Sequence, residues 1–398
     1  MSTPLAHRLE GIPPTIFSSM SALALRTGSV NLGQGFPDAD GPASVVAAAR
    51  SALRGGANQY APGPGVPALR QAIARHQQRH YDLELDPDRQ VVVTTGCTEA
   101  VAAALLGLVN PGDEVIVLEP YYDSYVAMLQ MAGGVRRPVT LRAPDFRLDV
   151  DELRAAVGPR TRFVLLNSPH NPTGTVLGPE ELRAVADLAI EHDLVVITDE
   201  VYEHLTFADE TGEHAHVPLA TLPGMFERTL TLSSAGKSYS LTGWKVGWAT
   251  GPAELVGAVL AAKQWLTFTS GSPLQPAIAH ALDEEPEWPR ALAADLQARR
   301  DLLCDGLAAL GLGVRRPEGT YFALTDISSL GWKDGLEFCL AMPERAGVVA
   351  IPAKPFHDSD AGDQLVRWAF CKDAAVIEEG MRRLAAADLS APTRGWSS

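Results

Sequence analysis

Cysteine is scarce: Cys97, Cys304, Cys339 and Cys371 are the four in 398 residues. None falls in a Cys-x-x-Cys pair or at metal-ligand spacing with a histidine, which argues against a disulfide framework, a zinc ribbon or a redox dithiol. The expectation is reduced, structural thiols in a cytoplasm, with no metal site. A long apolar run is missing too. The longest helix-like apolar stretch, Ala100–Val109, falls far short of the roughly 20 residues a bilayer crossing needs, and residues 1–10 lack the apolar core of a signal peptide. Basic residues are outnumbered, 33 Lys plus Arg against 48 Asp plus Glu, for a net charge of −15. That balance disfavours binding along a nucleic-acid backbone but permits a small basic pocket for one phosphate. No internal repeat, low-complexity tract or flexible linker is present. The sequence also lacks a G-x-x-x-x-G-K-[ST] loop and a G-x-G-x-x-G turn between strand and helix, so nucleotide folds of both kinds lose support.

Apolar residues make up 46% of the chain and charged residues 20%, enough for large cores and two or three domains. Seven short apolar runs punctuate the middle: Val91–Thr94, Val115–Leu118, Arg136–Val139, Phe163–Asn167, Val195–Asp199, Thr229–Ser233 and Val246–Thr250. Helix-like segments such as Glu99–Val109 and Pro179–His192 lie between several of them. This alternation predicts an α/β fold with a mostly parallel sheet covered on both faces. The short link from Ser233 to Val246 favours an antiparallel last strand. After about residue 270 the pattern shifts to a long helix, Trp288–Leu310, and shorter strands at Val314–Arg316, Tyr321–Leu324, Val348–Ile351 and Leu365–Phe370. Three units are expected: an arm over 1–40 lying along the small domain, a large domain over 41–270 and a small α+β domain over 271–398.

Ligands of open α/β sheets sit beyond the carboxyl ends of the strands. Five polar loops follow strands there: Thr95–Thr98, Glu119–Tyr122, Asn167–Gly174, Asp199–Tyr202 and Ser233–Lys237. Residues 94–100, Thr-Thr-Gly-Cys-Thr-Glu-Ala, read as strand, turn and helix start, a place where free amides meet an anion but also an ordinary capping pattern. Asp199 ends an apolar strand, where it can hold a cationic ring nitrogen or cap a helix. Lys237 sits in a hydroxyl-rich loop between two apolar strands, a setting for a nucleophilic amine, and Lys245 adds a second cation eight residues on.

The order of motifs is specific: Asn31-Leu32-Gly33-Gln34-Gly35-Phe36-Pro37-Asp38, Asn58-Gln59-Tyr60, Ser168-Pro169-His170-Asn171-Pro172-Thr173-Gly174, Asp199-Glu200-Val201-Tyr202, Ser234-Ala235-Gly236-Lys237, Gly243-Trp244-Lys245-Val246-Gly247 and Arg367-Trp368-Ala369-Phe370-Cys371-Lys372. From about residue 12 to residue 384 the chain resembles the class I/II aminotransferases, pyridoxal 5′-phosphate enzymes of fold type I. Within them it is most similar to the branch of kynurenine aminotransferase, glutamine transaminase K and bacterial methionine aminotransferases, which includes actinobacterial N-succinyldiaminopimelate aminotransferases.

The resemblance implies a role for each matching residue. Lys237 corresponds to the lysine that attaches to the cofactor aldehyde and then moves the proton. Asp199 corresponds to the carboxylate that keeps the pyridine nitrogen protonated, Asn171 and Tyr202 to the pair on the ring hydroxyl oxygen, and Tyr122 to the aromatic stacked on the ring. Phosphate contacts are implied for Gly96, Cys97, Thr98, Ser234 and Lys245, with Tyr60 reaching in from the other subunit of a homodimer. Arg367 matches the arginine that clamps the substrate α-carboxylate, Gly35 a point of close backbone approach, and Phe17 and Phe268 the side-chain pocket, Phe268 from the partner. Departures at Cys97, Lys245, Thr269, Pro355 and His357 leave the substrate preference open. The reading is an aminotransferase that moves an amino group from an L-amino acid to a 2-oxo acid. The alternative on the same scaffold is a β- or γ-eliminating lyase; a non-enzymatic nucleic-acid-binding regulator is disfavoured by the charge.

Overall fold

The seven apolar runs form one sheet in the computed structural model, which describes residues 5–209, 212–213 and 216–392. Its strands are β1 Val91–Thr94, β2 Glu114–Glu119, β3 Val135–Thr140, β4 Thr161–Asn167, β5 Val195–Asp199, β6 Thr229–Ser234 and β7 Gly247–Thr250. They are ordered β1-β7-β6-β5-β4-β2-β3. Only β7 runs against its neighbours, pairing Gly247 with Thr94 on one side and with Ser234 on the other; the remaining pairs are parallel. The reason is the β6–β7 link. It holds one helical turn, Ala235–Ser238, and a 3-10 turn, Thr242–Trp244, too little for a crossover that lies back over the sheet.

Both faces are covered, which is why central strands read as unbroken apolar runs. On one face, α3 (Gly96–Leu108) packs along α4 (Ala253–Leu266). On the other, helix Ala43–Arg54, α2 (Pro67–Tyr81) and α5 (Gln275–Glu284) pack together and share a core with Val91, Val93 and Trp248. The body around the large sheet therefore keeps a helix beyond residue 270.

The long helix α6, Trp288–Ala309, leads to a second, antiparallel sheet. Its strands are β8 Gly313–Val314, β9 Phe322–Asp326, β10 Ile351–Pro352 and β11 Leu365–Ala369, ordered β8-β9-β11-β10. The run expected as one strand at Val348–Ile351 is divided. Val348–Val349 pairs in parallel with Val30–Asn31 of the arm, while Ile351–Pro352 turns to β11. Helix α1, Ile16–Thr27, packs beside helix Gly335–Arg345 and this short pair, so the arm runs along the smaller sheet's side of the molecule. No helix among the described residues is long and apolar enough to cross a membrane.

Candidate active site

The carboxyl ends of β1, β4, β5 and β6 converge on a cavity of about 290 Å³. Every residue given a cofactor or substrate role from the sequence lines it except Tyr60 and Phe268; of the departures noted there, Thr269, Pro355 and His357 lie outside its lining. Sequence-distant residues meet there because parallel strands deliver their ends to one edge of the sheet, where the chain direction changes at β7.

Lys237 projects from the one-turn helix after β6. Its Nζ donates to the Tyr321 hydroxyl at 2.7 Å, and that hydroxyl donates to the Gly35 carbonyl at 2.6 Å. The amine also lies 5.6 Å from the Tyr202 ring centroid and 5.3 Å from that of Tyr321. Burial lowers its pKa from 10.5 to about 8, against the pull of Asp199. A lysine so placed has a much larger neutral fraction near neutral pH than an ordinary lysine, and the neutral amine is the form that attacks a carbonyl or takes a proton.

Asp199 is buried at the end of β5. Its Oδ2 accepts from the Tyr125 hydroxyl at 2.6 Å, and its Oδ1 from the Val201 amide at 3.3 Å and the Cys97 thiol at 3.5 Å. Burial raises its pKa, and these donors oppose the rise. No cation pairs with it among the described residues, and turns rather than a helix follow it, so the capping alternative falls away. A buried carboxylate held by three donors and lacking a counter-ion is suited to a cationic ligand atom.

The first turn of α3 forms the other wall. Thr95 precedes the helix without a side-chain cap. Instead, Glu99 reaches back to accept from the Thr95 amide, leaving the amides of Gly96, Cys97 and Thr98 for an anion. Gly96 has φ +72°, and a Cβ there would stand 3.0 Å from Lys245 Cε; the glycine lets that lysine approach. Lys245, itself left-handed at φ +53°, donates to Thr98 Oγ1 at 3.2 Å. Ser234 completes this side. Tyr122 stands between, its ring at 90° to Tyr125 with centroids 5.6 Å apart.

Arg367 lies on β11, 2% exposed. Its guanidinium donates to the Gly33 carbonyl at 3.0 Å and Asn171 Oδ1 at 3.3 Å, while its Nε is buried without a partner. Phe322 and Phe17 flank it at 4.0 and 4.6 Å. Burial lowers its pKa to about 10. An arginine with an unsatisfied N–H and aromatic walls is prepared for a carboxylate. Gly35 is close by, and a Cβ there would come within 2.5 Å of Phe322 Cζ; its need for glycine is set by that ring. Asn171 is positioned by its amide, which donates to Asn167 Oδ1 at 2.8 Å.

Tyr60 and Phe268 lie elsewhere. Their rings meet edge-on at 5.4 Å beside a shallow surface depression that Tyr60 shares with Thr269 and Ser270. Both are exposed, Tyr60 at 81%. Conversely, sequence reasoning missed Tyr125, Tyr321 and Phe322. Tyr125 lies in the first turn of helix Asp123–Ala132, three positions after Tyr122, the extended residue that precedes the helix. Nothing in the sequence marks Tyr321, which gains its place only when β9 meets the arm.

The fold and the site define an enzyme that holds an aldehyde cofactor between a lysine amine and a buried carboxylate. Comparison with known proteins is consistent with this. The family model for aminotransferase class I and II matches residues 27–384. The chain is 53% identical over 390 residues, covering 95% of itself and 97% of the relative, to a Mycobacterium tuberculosis protein named probable N-succinyldiaminopimelate aminotransferase DapC. It is 40% identical over 377 residues to the methionine aminotransferase of Escherichia coli, with 95% and 97% covered. Among solved structures, the M. tuberculosis N-succinyldiaminopimelate aminotransferase superposes with a TM-score of 0.93 at 52% identity, covering 96% of this chain and all of that one. A mutant of Thermus thermophilus aspartate aminotransferase gives 0.89 at 34% identity, with 96% and 99% covered. The chain belongs to the class I and II aminotransferases. It is a fold type I aminotransferase acting on amino and 2-oxo acids, and its cofactor is pyridoxal 5′-phosphate. The donor set fits that cofactor: an unpaired buried carboxylate for a pyridinium, a depressed lysine amine for an aldehyde, and free amides beside a lysine for a phosphate.

Proposed function

We propose that the protein is a cytoplasmic homodimer that transfers the amino group of an L-amino acid with a long, flat or apolar side chain to a 2-oxo acid, in two half-reactions. The single observation that carries the substrate reading is Arg367, the only arginine lining the cavity among the described residues, buried between Phe17 and Phe322 with its Nε free. One such group takes the α-carboxylate. A second carboxylate buried without a partner costs several kcal/mol, roughly two or more decades in specificity. Methionine, glutamine and aromatic or kynurenine-like amino acids are therefore favoured over aspartate. N-succinyl-LL-diaminopimelate belongs with them, since its distant acid can reach solvent at the pocket mouth; the similarity to the M. tuberculosis protein supports it.

Bound cofactor supplies an aldehyde to carry the amino group and a ring to draw electrons from the reacting bond. The protein's own part is to place and protonate. Lys237 would attach the cofactor's aldehyde, and its amine, with a pKa lowered to about 8, would take the substrate's α-proton and return it on the other side of the transfer. Its bond to Tyr321 fixes the amine's direction. Asp199, oriented by Tyr125, would keep a proton on the ring nitrogen. Tyr202 and Asn171 would hold the ring hydroxyl oxygen, and Tyr122 would cover one ring face. The amides of Gly96, Cys97 and Thr98, with Ser234 and Lys245, would hold the phosphate. Tyr60 and Phe268 act across the dimer, and their exposure in a single chain, with Trp265 at 84%, supports an interface there. In this reading residues 1–40 form the arm, the cofactor-binding domain runs from residue 41 through helix Gln275–Glu284, past the expected boundary at 270, and the small domain follows it; the four buried thiols suit a reducing cytoplasm.

A half-reaction panel tests the substrate reading. Purified holoenzyme is mixed with each amino acid, and loss of the cofactor's resting absorbance is followed. Methionine, glutamine, aromatic or N-succinyl-diaminopimelate donors should exceed aspartate by tenfold or more in kcat/KM; preference for aspartate would overturn the pocket assignment.

A further inference from the structure

Behind the catalytic wall lies a group of side chains that amino transfer does not use. His76 and His80 occupy successive turns at the end of α2, four residues apart and so on one face. His204 approaches them from the turn that follows Asp199. The three imidazole centroids are 4.6 to 4.9 Å apart, and one ligand nitrogen from each lies within 4.8 Å of the others. His76 and His204 already touch, Nε2 to Nε2, at 2.7 Å.

We propose that His76, His80 and His204 form a site for one divalent transition metal of the zinc type, separate from the active site, which clamps the end of α2 to the turn after Asp199.

Geometry, chemistry and setting each support it. Two histidines at i and i+4 on a helix present their nitrogens to one ion, and imidazole suits Zn²⁺ and its neighbours. Tetrahedral Zn–N bonds of about 2.0–2.1 Å place ligand nitrogens about 3.3 Å apart. The His76–His204 pair must open modestly from 2.7 Å, and exposed His80 must swing in. That leaves the fourth position to water on the solvent side. A metal needs unprotonated rings. Burial lowers the pKa of His76 and His80, and that of His204 to about 4. The surrounding charges are mixed: Arg79 lowers His80, Glu203 and Glu287 raise it, and His216 lowers His204.

Neighbouring groups hold the rings in place. Tyr81, next to His80, donates to Glu203 at 2.7 Å, and Ser233 donates to the same carboxylate at 2.5 Å; Glu203 is the residue before His204. His216 pairs with Glu200 at 2.8 Å. The Gln77 side-chain Nε2 sits 3.4 Å from His76 Nδ1; for a metal on His76 Nε2 the amide must turn over, so that its oxygen accepts from Nδ1–H.

The test uses tag-free, cofactor-loaded enzyme stripped with a chelator and titrated with Co²⁺, with Zn²⁺ as competitor. One equivalent per chain should give the visible absorption of low-symmetry Co²⁺, and Zn²⁺ should displace it. His80→Ala, a change at an exposed position, should weaken binding at least tenfold. It should also abolish the rise in Tm that Zn²⁺ gives the parent enzyme. Absence of saturable binding by the parent, or an unchanged affinity in His80→Ala, would overturn the proposal.

Discussion

The cavity floor and the Tyr60–Phe268 patch are both aromatic, yet they differ in what one chain provides. Around the floor, groups are held by partners within the chain: Lys237 by Tyr321, Asp199 by Tyr125, Arg367 by Gly33 and Asn171. In the patch the two rings meet edge-on at the surface and both stay exposed. Burial with partners fixes geometry before any ligand arrives, which is what catalysis by orientation requires. An exposed tyrosine has no such restraint until another surface covers it. On our reading the floor carries the chemistry and the patch supplies it only in a dimer.

The largest effect should come from removing the amine. Lys237→Ala should lower kcat by about 10³-fold or more, and borohydride reduction of the parent holoenzyme should leave the pyridoxyl label on the Lys237 peptide. A label on Lys245 would reverse the roles of the two lysines. Next is Arg367→Lys, which keeps the charge but loses the planar fork. It should lower kcat/KM about 10²-fold for every amino donor alike, because all share the α-carboxylate; a loss confined to one donor would show that Arg367 reads the side chain.

Tyr125→Phe is smaller and more diagnostic. A hydrogen bond to a charged group is worth about 1.5–3 kcal/mol, so the Asp199 pKa, already raised by burial, should rise further. Asp199 must be ionised to hold its proton partner. The acid limb of the kcat profile should therefore move to higher pH, with kcat at neutral pH down about tenfold, while KM changes little. An unmoved acid limb would leave Tyr125 a purely structural role.

The patch is tested by mixing. Tyr60→Ala and Lys237→Ala chains, each poorly active, should form hybrid dimers with one intact site, since both defects then fall on the same site. Recovery to about a quarter of parent activity is expected in a statistical mixture, in which about half the dimers are hybrids with one good site of two. No recovery beyond the separate variants would confine each site to one chain. The smallest effect is on stability. In cofactor-free protein the folded Lys237 pKa, about 8, lies below its unfolded value of roughly 10.4. The unfolded state binds more protons between these values, so stability should rise with pH across that window. Denaturant titrations should show this contribution in the parent and not in Lys237→Met.

The sheet was legible because buried parallel strands are apolar from end to end, and all seven runs became strands. The division at Val348–Ile351 was not, since nothing local at Ala350 says that the chain leaves the arm for β11. Gly96, Asn171, Lys237 and Arg367 were found through motifs that surround them with turn residues and strand ends. Tyr321 had no such frame. The cluster of His76, His80 and His204 is likewise assembled by the fold, since His204 lies 124 residues downstream of His80.

What the sequence by itself determined is therefore what local chemistry can encode: strand and helix periods, the glycine that opens the α3 turn, and the residue types that carry the reaction. What only the tertiary structure decided is which of them face one another and in what electrical state. Asp199 has its pKa raised, and Lys237 and Arg367 have theirs lowered, because folding removes water from all three while selecting their partners. Desolvation depends on everything packed around a group, and no span of neighbouring residues specifies that.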